Sequence, residues 1–122
     1  MGEGTKARVQ GPVGDEGWAE DFDLWLRLFE SGVRFAKVER TLFFWREHGE
    51  RLTRVDGRYS VENFLRCKAH HLARGPLAPP TQVVVWGAGP TGKRLIRWLL
   101  DEGCSIEAAV DIDPGKIGRT VH

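Results

Sequence analysis

The stretch Val83–Leu95, VVVWGAGPTGKRL, constrains this 122-residue chain more than any other. Three valines lead into Trp86, and Gly87, Gly89 and Gly92 then fall in a G-x-G-x-x-G spacing. Leu95, Ile96, Leu99 and Leu100 follow at helical intervals. A strand that ends in a glycine turn and opens a helix is the context in which such glycines have a mechanism. Gly87 permits a tight turn, Gly89 lets the backbone approach a pyrophosphate, and Gly92 allows helix and strand to pack closely. Pro90 suits the first helical turn, where its missing N–H costs little, and the free N–H groups of that turn face an anion.

A second strand is expected from Ile106 to Val110, after Gly103 stops the helix. It ends at Asp111, 24 positions after Gly87. That is close to where a dinucleotide site places an acid on the ribose hydroxyls. The order of elements predicts a β-α-β unit with Gly87, Gly89, Gly92 and Asp111 as the cofactor-binding residues. NAD or a nucleotide sugar is the expected ligand. The competing reading is that the glycines serve tight strand-to-helix packing with no ligand. Only 30 residues follow Gly92, and two strands with one helix bury too little surface to stand alone. The missing strands come from the first part of the chain, from another protomer of a homo-oligomer, or from sequence beyond the two ends. Truncation is the preferred expectation.

Upstream, residues 1–17 are rich in glycine and charge and read as a loop. A helix is expected from Ala19 to Ser31, with Phe22, Trp25, Leu26 and Phe29 as one apolar stripe and Glu20, Asp23, Arg27 and Glu30 opposite. Val33–Val38 and Thr41–Trp45 read as two short strands, or a strand and an extended crossing. Arg46 to Arg58 is polar and cationic. Ser60 caps a helix running to about Arg74, on which Cys67, His70 and His71 read as a solvated face. Gly75–Thr81, with Pro76, Pro79 and Pro80, is the expected linker. The organisation is therefore a first piece over residues 1–74, a linker over 75–81, and a second piece over 82–122.

Glu20 and Asp21 open the first helix. At about 100° per residue, Glu20 points with Asp23 to the polar side, whereas Asp21 falls beside Trp25 and Leu28 at the edge of the apolar face. A carboxylate held there has a raised pKa and serves as a general base. The competing reading is that both acids only complement the helix dipole. The segment GWAEDFDLWLRLFESGVRFAKVERTLFFWREHGERLTR resembles the C-terminal part of a family 2 glycosyltransferase, the inverting type with a GT-A fold. The likeness rests on Glu20-Asp21, the following DLWLRL, the Gly32–Val38 run, and Arg46-x-His48 before Thr53. It implies that Asp21, beside Glu20, deprotonates an acceptor hydroxyl that attacks a nucleotide sugar as the diphosphate leaves. It also implies Arg46 as a substrate-binding charge and His48 as a contact to the diphosphate or its divalent metal, Mg or Mn. Such enzymes carry an Asp-x-Asp metal motif in a preceding segment. Here the sole Asp-x-Asp before Arg46 is Asp21-Phe22-Asp23, within the acid-pair helix, so the chain is expected to be inactive alone.

VVVWGAGPTGKRL with AAVDIDPGKIGRTV resembles the small Rossmann-like domains attached to some sugar-modifying enzymes, including the nucleotide-sugar-binding halves of certain sugar acyltransferases. The fold class expected is thus α/β: the C-terminal part of a GT-A-like domain followed by a partial Rossmann-like β-α-β unit. The alternative function is a non-catalytic nucleotide- or dinucleotide-binding module. Eighteen Lys and Arg against 17 Asp and Glu give no electrostatic reason to expect nucleic acid as a partner. Cys67 and Cys104 lack C-x-x-C spacing and read as reduced thiols. No apolar run is long enough to cross a bilayer, so a cytoplasmic protein is expected.

Overall fold

A computed structural model describes residues 17–121, and the expected loop at the amino terminus lies outside the described residues but for Gly17. The chain divides into two compact units, residues up to 63 and residues from 64. Among the described residues the architecture is mixed α/β, with three longer helices and a two-stranded parallel sheet.

In the first unit, helix α1 covers Glu20–Glu30, with Glu20, Asp21 and Asp23 in its first turn and Arg27 in its last. This distribution complements the helix dipole. The helix ends because Gly32 takes a positive φ of 76°, which lets the Val33 N–H reach back to the Leu28 carbonyl at 3.1 Å. The expected stripe is not what α1 buries. Trp25 and Phe29 are 56% and 67% exposed, and Trp25 meets Phe35 edge to face at 5.5 Å. Asp23, assigned to the polar side, is instead buried, with its carboxylate 3.0 Å from Arg27. The apolar repeat predicts the helix correctly but not its inward face, because an ion-paired carboxylate can be buried as an aromatic ring can.

The β-prone runs Val33–Val38 and Thr41–Trp45 form no strand. A strand needs a partner to satisfy its backbone, and among the described residues the two strands of the sheet both lie beyond residue 81. Phe43 and Trp45 contact each other at 5.6 Å, and the Arg51 guanidinium lies 4.5 Å from the Trp45 ring centre. Helix α2, Leu52–Val55, and a 3-10 turn, Gly57–Tyr59, follow. Ser60 Oγ accepts the Asn63 N–H at 3.3 Å, and helix α3 runs Val61–Arg74, matching the expected cap and end.

The second unit contains α3 beyond its first turn, strand β1 (Gln82–Trp86), helix α4 (Pro90–Asp101), strand β2 (Ser105–Val110) and a 3-10 turn at Pro114–Lys116. The proline-bearing segment 75–81 lies within this unit. β1 and β2 pair in parallel, Gln82 opposite Ser105 and Trp86 opposite Val110, with a register shift between Val83 and Val84. Two adjoining clusters form the core. Val83 and Val85 point to Ile96 of α4, while Ala69 and Ala73 of α3 pack with Leu99 and Cys104. Arg74 also donates to Glu102 at 2.8 Å, and His70 Nδ1 lies 3.3 Å from the same carboxylate. Burial opposes ionisation of Glu102, but these partners outweigh it and hold its pKa below the ordinary range. The expectation of a solvated face at Cys67 and His71 is overturned: both are buried, so α3 is covered around more than one side.

Candidate functional site

The three glycines of the turn differ in what requires them. Gly87 has φ 103°, a conformation that L side chains rarely adopt, and its N–H donates to the Val110 carbonyl at 2.7 Å. Gly92 has no room for any side chain. A Cβ there would sit 1.7 Å from the Gly87 carbonyl oxygen. Gly89 differs from both: its φ is −76°, and a Cβ on it would meet no atom within 4 Å. Gly87 is thus required by its own backbone conformation and Gly92 by close packing. At Gly89 the missing side chain leaves open space beside the first turn of α4.

That turn borders a cleft of about 790 Å³. It lies beyond the carboxyl ends of β1 and β2, where open parallel sheets take their ligands. Ala88, Lys93, Asp111, Lys116 and Arg119 are among its walls. Asp111, expected at the end of the second strand, is there, and its side chain is only 12% exposed. Its Oδ2 accepts the Ala88 N–H at 2.8 Å and the Lys116 Nζ at 2.9 Å. Its Oδ1 accepts the Asp113 N–H at 2.9 Å. The Lys116 bond first, then the two backbone donors, pull the Asp111 pKa down to about 2. The carboxylate therefore bridges the glycine turn to the segment after β2. From sequence alone Lys116 reads as a solvated side chain; its five-residue spacing from Asp111 across a 3-10 turn carries no periodic signal.

In the first unit the two acids of α1 have separate environments. The Tyr59 hydroxyl donates to Glu20 Oε1 at 2.8 Å, and Arg58 lies 3.9 Å from Oε2. The backbone N–H of Glu20 itself, then Tyr59, then Arg58 lower the Glu20 pKa. The same bond, with burial second, pushes the Tyr59 phenol up to about 12. Asp21 is exposed, and its Oδ1 accepts the neighbouring Phe22 N–H at 2.8 Å. Its expected position at a buried apolar edge is not found, because the Trp25 side of the helix is itself exposed. Tyr59 and Arg58, 39 and 38 positions from Glu20, are invisible to a helical wheel.

Arg46 and His48 are both exposed, on either side of Glu47, which pairs with Arg51 and Arg54. His48 stands in no group of three or more His, Cys, Asp or Glu side chains close enough to share an ion, among the described residues. The donor set around it does not fit a divalent metal, which prefers several converging oxygen ligands.

No protein-family model, curated protein or solved structure matches this chain. No helix among the described residues is long and apolar enough to cross a membrane.

Proposed function

We propose that the second unit is a nucleotide-binding module of Rossmann-like type, taking a nucleotide sugar or a dinucleotide at the cleft lined by Ala88 and Lys93. The observation that carries this reading is the contrast among the three glycines. One is demanded by its backbone conformation and one by packing, whereas the third leaves open space at the start of a helix whose Lys93, with the neighbouring Ala88, lines the cleft alongside Lys116 and Arg119. Packing alone gives no reason for a glycine at position 89. Thermal melting with UDP, ADP, a UDP-hexose and NAD tests the reading. A ligand at a hundredfold excess over its Kd should add about 2.7 kcal/mol of stability. No shift with any of the four at millimolar concentration would sink it.

A second reading concerns the first unit, as the acceptor-side segment of an inverting GT-A glycosyltransferase. Its support is the division of labour at the start of α1. Glu20 is engaged by Tyr59 and Arg58, while Asp21 faces solvent with a carboxylate available to a substrate. In that role Asp21 takes the proton of an acceptor hydroxyl. The oxygen attacks the anomeric carbon, and the nucleoside diphosphate leaves with the electrons of the broken C–O bond. The reduced, buried thiols of Cys67 and Cys104 suit the cytoplasm, where nucleotide sugars would be met. The deciding observation is the coding sequence immediately upstream of Met1. An in-frame segment with nucleotide-binding strands and an Asp-x-Asp element supports the transferase, and a ribosome-binding site directly before Met1 counts against it.

A further inference from the structure

The Asp111 carboxylate has little capacity left for a ligand. A carboxylate offers about four acceptor positions. Three are taken, by the Ala88 and Asp113 N–H groups and by Lys116. Gripping a pair of vicinal sugar hydroxyls needs two. Lys116 is not a stray side chain in this arrangement. It closes the 3-10 turn Pro114–Lys116, whose start is fixed by the Asp113 carboxylate accepting the Gly115 N–H at 2.9 Å. Its own N–H donates to the Asp113 carbonyl at 3.0 Å. The turn thus delivers the ammonium to Asp111, at 2.9 Å, with the Asp113 carboxylate 3.9 Å away. An ammonium has three donors, and Asp111 uses one.

We infer that Lys116 determines the specificity of the cleft by occupying Asp111, so that the bound molecule is a nucleoside diphosphate recognised through its phosphates and not through its ribose hydroxyls. The inference rests on the nucleotide-binding reading above and adds what the cleft selects. Lys93, Arg119 and the remaining donors of Lys116 line the cleft with Ala88 and supply the cationic contacts. The absence of any atom near a Cβ on Gly89, next to Ala88, leaves the backbone of the turn open to a phosphate. Asp111 becomes a positioning residue. It holds the glycine turn through Ala88 instead of reading the sugar.

Isothermal titration of the 122-residue chain with UDP against 2′-deoxy-UDP, and ADP against 2′-deoxy-ADP, tests this. Each deoxy form should bind within about twofold of its ribo partner, since no charged hydrogen bond is lost. A larger preference for the ribo forms would overturn the inference while leaving nucleotide binding intact. Binding of none of the four would overturn the inference, and failure of the UDP-hexose and NAD as well would overturn the nucleotide-binding reading with it. In Lys116→Met the ammonium is gone and Asp111 is released. Both forms should then weaken, and a ribo preference of about tenfold should appear, the size of one hydrogen bond to a charged group. A Lys116→Met protein that binds without that preference overturns the assignment to Lys116. Where that variant fails to fold, the wild-type ratio alone decides.

Discussion

Tyr59 is the single tyrosine of the chain, and its hydroxyl is committed to Glu20. The carboxylate stabilises the neutral phenol, so the folded pKa of about 12 lies above the ordinary 10. A group raised on folding contributes stability in full below its unfolded pKa and loses it as pH rises through the folded one. The first unit should therefore weaken between pH 10 and about 12. The tyrosinate absorbance should show its midpoint near 12, moving down toward 10 in Glu20→Ala or in denaturant. An unchanged midpoint in Glu20→Ala would refute the pairing. Asp21→Ala, which removes only a weaker charge effect, should move it less.

At the scale of elements, the turn between β1 and α4 separates what folding demands from what the proposed nucleotide binding demands. Gly92→Ala drives a methyl into the Gly87 carbonyl. Backbone cannot swing aside as a flexible side chain would, so the cost should be about 3 kcal/mol or more, the upper end for overpacking. Gly89→Ala meets nothing and keeps an ordinary φ. Its stability should stay within about 0.5 kcal/mol of the parent, as for an uncomplicated surface change. Nucleotide affinity should nevertheless fall by about tenfold or more, through a blocked backbone approach. Chemical denaturation and calorimetric titration of the two variants separate these effects. Equal stability losses would mean that Gly89, too, is a packing residue.

Across the whole molecule, local rules were legible and partners in space were not. The helices at Glu20–Glu30, Val61–Arg74 and Pro90–Asp101, and both strands around the glycine turn, follow from apolar spacing, caps and Gly stops that lie within a few residues of each other. The inward face of α1 does not, because Asp23 and Trp25 exchanged their expected environments. The β-prone runs around Phe35 and Phe43 likewise carry strand propensity without a ladder, and side-chain pattern alone does not supply one. At the site, the three glycines and Asp111 stand out by spacing. Lys116 and Tyr59 do not, since each meets its carboxylate through a turn or across 39 positions of chain.

The two-stranded ladder has one more consequence, readable in isotope exchange. With only two strands among the described residues, each strand is also an edge. The Gly87 amide donates inward to Val110, so the repeat of the strand turns the Val85 amide the same way and those of Val84 and Trp86 outward. Deuterium uptake along β1 should therefore alternate residue by residue, slow at Val85 and Gly87 and fast at Val84 and Trp86. A strand slow at every amide would reveal another chain segment lying along that edge.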